Sequence, residues 1–343
     1  MANCEITRNK KNGTDELFSS HAVFAAHRPI RIFGEGVGNA SVSIAGITME
    51  VSSVDGRWCA EFPAMDYGGP YELKLESGAE VVTLFDIYIG EVFLFSGQSN
   101  MSFMLKESNT PISEYETLDN LRYFGPIHTE KECCWAKSEE SSVGYWSAIA
   151  YIASRIIAKS KDIAVGAICC SQGASVIESW VPCGAFSQRG IIVAPECKFA
   201  DHFNKSNREW NRDGFLYEKM LTKVIPYSLT GVVWYQGESD VSVEEGEVYF
   251  DELSALIEIW RHDFCDKELP FVIVQLADFF ANNRPGWPII QKAQAEVGEK
   301  TPFASTVICS DVCEKNEIHP ESKYVLAERV AKALLKLVTK NEF

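Results

Sequence analysis

The 343-residue chain lacks long apolar runs and an excess of positive charge. No stretch approaches the roughly eighteen consecutive apolar residues of a transmembrane helix, so no membrane-spanning segment is predicted. Lys and Arg number 32 against 48 Asp and Glu, which gives a formal net charge of −16. A surface this acidic repels phosphate backbones and anionic lipids, so neither nucleic acid nor a membrane is an expected partner. No apolar segment follows the N-terminal MANCEITRNKKNG, so we expect no secretory signal.

The eleven cysteines lack the spacings of metal-binding and disulfide motifs. Their number is odd, there is no CxxC, and the adjacent pairs Cys133-Cys134 and Cys169-Cys170 do not form a zinc pattern. We therefore expect most of them to be reduced thiols in the core of a cytoplasmic protein. No metal site and no cofactor is expected.

The chain contains two regions with different periodicity. Up to about residue 90, short runs such as residues 30–33 and 71–75 alternate apolar and polar side chains, and no helical stretch separates them. This pattern is typical of antiparallel strands with one exposed face, and it predicts a small β-sandwich domain over residues 1–90. Residues 91–343 alternate apolar strands with amphipathic helices, which predicts an α/β domain with a parallel sheet covered on both faces. The predicted strands of this second domain are residues 91–95, 163–170, 231–235, 271–276 and 303–309, and its predicted helices are residues 145–159, 215–225, 245–262, 289–300 and 321–338.

Polar side chains follow the predicted strands at the points where the strands end. The first strand leads into SGQSN at 96–100, the second into CSQGAS at 170–175, and the third into QGESD at 236–240. The last leads into Ser310-Asp311 and then NEIHP at 316–320. The carboxyl ends of parallel strands share one edge of the sheet, where ligands bind. Hydroxyl, amide, carboxylate and imidazole groups on one edge can form a nucleophile, a base, an orienting acid and an oxyanion hole.

Ser99 and His319 are the candidate nucleophile and base. Ser99 lies at a predicted strand-to-helix turn, where its hydroxyl would be exposed and its N–H would face a developing oxyanion; Ser96 is the weaker candidate. A helix cap is the simpler role for such a serine, but it does not explain the amides on both sides. Among six histidines, only His319 follows a parallel strand's exit and precedes a proline that opens a helix. Gly173 and Gln236 could add a backbone and a side-chain N–H.

Four motifs resemble those of one enzyme family: GQSNM at 97–101, the SxG and IExW pattern at 171–180, GVVWYQGESD at 231–240, and the DxxxxxxxHPxxK arrangement from Asp311 to Lys323. They are similar to motifs of the sialate O-acetylesterases, which belong to the SGNH-hydrolase superfamily and lie close to several acetyl-xylan esterases. The resemblance extends from about residue 28 to the C-terminus. It implies a three-layer α/β/α SGNH-hydrolase domain that carries a serine esterase.

The resemblance also implies roles for individual residues. Ser99 would be the nucleophile and His319 the general base, and the oxyanion hole would consist of the N–H groups of Ser99 and Gly173 with the Gln236 side chain. The superfamily's asparagine in the third motif is replaced here by Gln236, a departure shared with the acetylesterase branch.

The carboxylate that orients the histidine is left open by the resemblance. Many SGNH enzymes have an aspartate three residues before the histidine, where this chain has Asn316. Glu238 is slightly favoured, because its strand exit faces the site and related acetyl-xylan esterases use this position. Glu317 and Asp311 are alternatives, and so is a serine–histidine pair without an acid.

The implied reaction removes O-acetyl groups from a sugar through an acetyl-serine intermediate. The expected partner is therefore an O-acetylated sugar or oligosaccharide, and the oligomeric state stays open. The candidate substrate-binding residues are Gln98, Asn100, Arg284 and Trp287.

The identity of the sugar depends on cations and aromatic rings near the site. A sialic acid carboxylate would need a cation such as Arg208, Arg212 or Arg284, and without one a neutral xylan-, mannan- or xyloglucan-derived oligosaccharide is favoured. The tryptophans that could stack on a sugar or pack in the core are Trp180, Trp210 and Trp287. Two other functions are alternatives. One is a carbohydrate-binding protein without turnover. The other is an esterase for acyl lipids or thioesters, which would need an apolar acyl tunnel, and the sequence has no apolar loop cluster to form one.

Overall fold

The computed structural model describes residues 17–36, 38–126, 133–192 and 208–340, and 13 strands and 7 α-helices are assigned there. The strands are β1 (Val23–Ala25), β2 (Ile30–Glu35), β3 (Asn39–Ile44), β4 (Ile47–Ser52), β5 (Arg57–Phe62), β6 (Gly68–Ser77), β7 (Glu80–Gly97), β8 (Leu118–Phe124), β9 (Ala136–Ser138), β10 (Val165–Ser171), β11 (Gly231–Tyr235), β12 (Phe271–Val274) and β13 (Ala304–Val307). The helices are α1 (Ser99–Ser102), α2 (Ala148–Lys161), α3 (Ala185–Gln188), α4 (Phe215–Lys219), α5 (Val243–Asp263), α6 (Trp287–Lys300) and α7 (Tyr324–Lys340).

The central sheet is largely parallel, as predicted. Its strand order is β13-β12-β11-β7-β10-β8-β9, and every neighbouring pair is parallel except β8 with β9. The C-terminal part of β7 and all of β11 and β12 are buried, so both faces of these strands are covered. The helices pack in two pairs, α2 with α7 and α5 with α6. The mixed α/β class is thus confirmed, and its assignment to the SGNH type stays a prediction.

The N-terminal region is joined to the central sheet by β7, and its strands pair antiparallel except β1, which is parallel to β7. β2 pairs with β5, β3 pairs with β4 and β6, and β6 pairs with the first part of β7. Gly90, the last residue of the predicted first domain, lies inside β7 and not in a linker. A Cβ at Gly90 would collide with the carbonyl group of Ala164, so the strand can continue there only with glycine. The sandwich arrangement and the division at residue 90 stay predictions.

Most predicted elements of the second region are present with shifted ends. β11 has the predicted bounds, whereas α2 begins three residues late, where Ser147 accepts a hydrogen bond from the Ala150 N–H and caps the helix. The predicted helix over 215–225 is two pieces, α4 and a 3₁₀ turn at Leu221–Lys223. β8 and β9 are missing from the prediction. The sequence of β8 is LDNLRYF, and its polar residues interrupt the apolar pattern from which a strand is predicted. His128 and His202 lie outside the described residues.

The cysteines fit the expectation of buried thiols only in part. Nine are described, and none of these nine forms a disulfide. Four are buried, namely Cys169, Cys170, Cys309 and Cys313, and four are exposed, namely Cys59, Cys134, Cys183 and Cys265. The expectation that most lie in the core is therefore wrong for the cysteines with a described position.

Candidate active site

Ser99 is presented by a tight turn between the central strand and a short helix. β7 ends at Gly97, whose φ is 137° and whose position beside the Tyr235 carbonyl leaves no room for a Cβ. The chain then enters α1 with Ser99 as its first residue. The Ser99 N–H consequently has no partner within the helix, and its side chain is partly exposed at the carboxyl edge of the sheet.

His319 reaches this serine from the segment between β13 and α7. Its Nε2 atom lies 2.7 Å from Ser99 Oγ, within hydrogen-bonding distance. Desolvation of the ring, with a smaller contribution from the Lys323 charge, lowers the pKa of His319 below its usual value. The ring is therefore neutral at pH 7 and can accept the serine proton.

Gly173 lies directly beside Ser99. A Cβ at Gly173 would be 3.8 Å from the Ser99 Cβ, which is an ordinary contact distance. Among the described residues, no group accepts a hydrogen bond from the Gly173 N–H. Together with the Ser99 N–H, this site thus offers two backbone donors for an oxyanion.

Gln236 does not face the site, and its expected oxyanion role is contradicted by its contacts. The side chain is fully buried, and its amide nitrogen donates to the Ser175 carbonyl at 2.9 Å and to the Asp240 carboxylate. Its Oε1 accepts a hydrogen bond from the Tyr249 hydroxyl at 2.8 Å. Both amide hydrogens are engaged, so none is left for a substrate oxygen.

The carboxylates proposed to orient His319 bind other groups. Glu238 is 2% exposed and accepts a hydrogen bond from the Asn100 side chain at 2.6 Å. Asp311 is paired with Arg329 at 2.6 Å. Glu317 is exposed, and no hydrogen bond joins it to the His319 ring. Among the described residues, no carboxylate accepts a hydrogen bond from this ring, so the contacts do not support Glu238, Glu317 or Asp311 as the orienting acid.

Asn316 occupies the position where many SGNH enzymes have the aspartate, but it stabilises the loop instead. Its backbone N–H donates to the Asp278 carbonyl at 2.9 Å, and its Oδ1 accepts from the Phe280 N–H at 3.1 Å. These contacts hold the segment before His319 against the segment that follows β12.

The four expected substrate-binding residues are buried. Gln98 is 3% exposed, and with its amide nitrogen turned toward its acceptors it lies 3.1 Å from Glu238 Oε2. Arg284 donates to the Glu238 backbone carbonyl, and Trp287 donates from Nε1 to the Ala277 carbonyl at 2.9 Å. Asn100 is likewise enclosed. These four side chains are buried and contact protein groups, so their expected contact with substrate is wrong.

The other arginines and tryptophans considered for the sugar have protein contacts. Arg212 pairs with Glu209 at 3.0 Å on the surface, and the Arg208 guanidinium lies 5.8 Å from the Trp210 ring centre. Trp180 is fully buried and donates to Ser175 Oγ at 3.0 Å, which makes it a core residue.

Three residues near the base were not predicted to have a role. The Phe103 ring lies 6.4 Å from the His319 ring, and the charge of Glu107 acts on His319 to raise its pKa. Lys323 ends the HPxxK part of the fourth motif, yet no role followed from the motif alone. Its Nζ donates to Asn100 Oδ1 at 2.7 Å.

The described ranges contain no group of three or more His, Cys, Asp or Glu side chains that could hold a metal ion. In the same ranges, no helix has the length and apolar character needed to cross a bilayer.

The chain is similar in sequence to a carbohydrate esterase family and to sialate O-acetylesterases. A family model described as carbohydrate esterase, sialic acid-specific acetylesterase, matches residues 202–336. Sialate O-acetylesterase of Homo sapiens is 26% identical in an alignment 348 residues long, which covers 87% of this chain and 65% of the human protein. The Mus musculus enzyme is 27% identical over 371 residues, with 87% and 68% covered. This chain thus spans about two thirds of the length of these relatives.

One solved structure shares the fold closely. A carbohydrate acetylesterase from Xanthomonas citri superposes with a TM-score of 0.83 at 24% identity, over 95% of this chain and 75% of that one. The comparisons confirm the family resemblance found in the motifs and support the predicted enzyme class, a carboxylic ester hydrolase.

Proposed function

We propose that this chain, which belongs with the sialate O-acetylesterases and related carbohydrate esterases, is a serine esterase that removes O-acetyl groups from sugars. The observation that carries the proposal is the 2.7 Å contact between Ser99 Oγ and His319 Nε2 at the edge of the sheet. The backbone N–H groups of Ser99 and Gly173, which donate to no described residue, are the donors that an acyl-transfer site needs.

The first half of the reaction forms an acetyl-serine. His319 Nε2 takes the Ser99 hydroxyl proton as Oγ bonds to the acetyl carbon, and the carbonyl oxygen becomes an oxyanion held by the N–H groups of Ser99 and Gly173. The bond between the acetyl carbon and the sugar oxygen then breaks. The sugar oxygen receives the proton from His319 and leaves as a free hydroxyl.

The second half releases acetate. A water molecule gives a proton to His319 and attacks the acetyl carbon of the acetyl-serine, and a second oxyanion forms in the same place. Its collapse breaks the bond to Ser99 Oγ, which regains the proton from His319. Because no carboxylate binds the imidazole ring in the described chain, we propose a serine–histidine pair in place of a triad.

A neutral O-acetylated oligosaccharide is our preferred substrate class. All three arginines considered for a sialic acid carboxylate have protein contacts: Arg284 is buried, Arg212 is paired with Glu209, and the Arg208 guanidinium lies 5.8 Å from the Trp210 ring centre. The exposed Phe280, which is joined to the segment before His319, offers a ring on which a sugar can stack.

Hydrolysis of model esters tests this proposal directly. We expect purified protein to release 4-nitrophenol from the acetate ester faster than from the butyrate, and Ser99→Ala to abolish both. Acetate release from acetylated xylo-oligosaccharides against O-acetylated sialic acid then distinguishes neutral from anionic substrates. No turnover of any acetyl ester by the wild-type protein would overturn the esterase proposal and leave the carbohydrate-binding alternative. The cytoplasmic location stays a prediction.

A further inference from the structure

Asn100, the residue after the proposed nucleophile, binds protein groups through both its amide nitrogen and its amide oxygen. Its Nδ2 donates to Glu238 Oε1 at 2.6 Å and to the Ile318 backbone carbonyl at 2.8 Å. Its Oδ1 accepts from Lys323 Nζ at 2.7 Å. Two amide hydrogens and one amide oxygen are thus all engaged, in a residue that is only 2% exposed.

The two charged partners fix the orientation of this amide. Burial raises the pKa of Glu238 to about 7 and lowers that of Lys323 to about 8. Between these values the carboxylate can only accept and the ammonium group can only donate, so Glu238 selects the nitrogen of Asn100 and Lys323 selects its oxygen. Lys323 is itself fully buried, with its Nζ 4.8 Å from the Phe103 ring centre and 5.7 Å from that of Tyr235. Neither charge can move to solvent without breaking the network, so the amide cannot rotate freely.

The third contact connects this network to the base. The Ile318 carbonyl belongs to the peptide bond that joins Ile318 to His319, so a donor to this oxygen fixes the backbone from which the imidazole extends. The only side chain observed to donate to it among the described residues is that of Asn100. A displacement of about 1 Å at a catalytic group can lower a rate about 100-fold.

We infer that Asn100 is a positioning residue that holds His319 within reach of Ser99 through the Ile318 carbonyl, and that Glu238 and Lys323 act by orienting its amide. The inference rests on the proposed esterase function. It gives the buried carboxylate a different role from that of a triad acid, because Glu238 acts two hydrogen bonds away from the imidazole.

A variant in which the side chain at residue 100 can accept but not donate hydrogen bonds distinguishes a positioning role from a packing role. Asn100→Asp keeps the size of the side chain but removes both amide hydrogens and places a carboxylate against Glu238. We expect kcat for 4-nitrophenyl acetate to fall about 10- to 100-fold with KM changed less than about 2-fold, and Tm to fall. In Asn100→Asp with Glu238→Gln, the introduced amide at 238 can donate to the introduced carboxylate at 100, and Lys323 can still bind that carboxylate.

The double variant decides the matter because it restores the network but not the donor to Ile318. We expect its Tm to return toward the wild-type value while kcat stays low. If kcat recovers together with Tm, Asn100 has only a structural role and the inference is overturned. Wild-type kcat in Asn100→Asp would overturn it as well.

A matched control uses Asn120, whose side chain also donates to two backbone carbonyls, those of Ala158 at 3.3 Å and Ile163 at 2.9 Å. Asn120→Asp should leave kcat unchanged. Should the wild-type protein hydrolyse no acetyl ester, the proposed function fails but NMR still tests the inference. The His319 ring resonances and their pH titration should change in Asn100→Asp, or in the double variant if the single one does not fold, and not in Asn120→Asp; unchanged resonances in either Asn100 variant would overturn it.

Discussion

His319 Nε2 lies 2.7 Å from Ser99 Oγ although 220 positions of the sequence separate the two residues. The parallel sheet accounts for this proximity, because β7 and β13 both end at the same edge: Ser99 follows the end of β7 at Gly97, and His319 lies in the segment between β13 and α7. The acyl transfer proposed for this pair has several measurable consequences.

The first prediction is that Ser99 supplies the nucleophile. Ser99→Ala should lower kcat for acetate esters by at least about 10⁴-fold, because it removes the hydroxyl that lies within hydrogen-bonding distance of His319 Nε2. The matched control is Ser96→Ala, which removes a buried hydroxyl that has no hydrogen-bond partner in the described chain. That variant should keep wild-type kcat, and mass spectrometry of an inhibitor adduct should locate the modification at Ser99. An adduct on Ser96 would refute the assignment.

The sequence predicted that Ser99, His319 and Gly173 lie close together, because their positions depend on where parallel strands end. It did not predict which of the neighbouring side chains are buried. Gln236 follows a strand end as expected, but its side-chain amide is occupied within the protein. It donates to the Asp240 carboxylate and accepts from the hydroxyl of Tyr249 on α5. Contacts between distant elements decide this orientation, and strand periodicity carries no information about them.

The same limit explains the errors at the substrate-binding residues. Trp287 was expected to bind substrate, but it is the first residue of α6 and packs against Phe279, with 5.0 Å between the two ring centres. Arg284 lies beneath it, with its guanidinium 5.9 Å from the Trp287 ring centre. Burial of a loop residue depends on what the loop folds onto, which local composition does not reveal. The length of β7 escaped prediction for the related reason that Gly90 resembles a break.

The second prediction concerns pH. Only the neutral imidazole of His319 can accept the serine proton, so kcat/KM falls as the pH drops through the pKa of this residue. Desolvation and the charge of Lys323 lower that pKa. The acid limb of the profile should therefore lie below about pH 6.5, the value for an unperturbed histidine. An acid limb at or above that value would contradict the assignment.

The third prediction uses the charge of Glu107, which acts in the opposite direction. Its negative charge raises the pKa of His319, so Glu107→Gln should move the acid limb to still lower pH. The control is Glu72→Gln on the exposed face of β6, which should not move it. A shift toward higher pH in Glu107→Gln would show that another group controls the profile.

The fourth prediction is that neither glutamate is a triad acid. Glu238→Gln keeps an oxygen that can accept from Asn100, and Glu317→Gln changes an exposed side chain, so kcat should fall less than about 10-fold in each. Removal of a true orienting carboxylate costs about 10⁴-fold in serine proteases. Steady-state kinetics of both variants at pH 8 therefore separate a serine–histidine pair from a triad. A loss near 10⁴-fold in either one would identify it as the acid.

The last prediction concerns the oxyanion hole beside Ser99. Gly173→Pro removes the backbone N–H that no described residue uses, and loss of one oxyanion donor costs about 10²- to 10³-fold in kcat. Gly173→Ala is the matched control, since its Cβ would make only an ordinary 3.8 Å contact with the Ser99 Cβ and the N–H is retained. We expect the proline variant to lose kcat with a nearly unchanged KM, and the alanine variant to lose much less. Equal losses in the two variants would mean that crowding, and not a missing donor, limits the reaction.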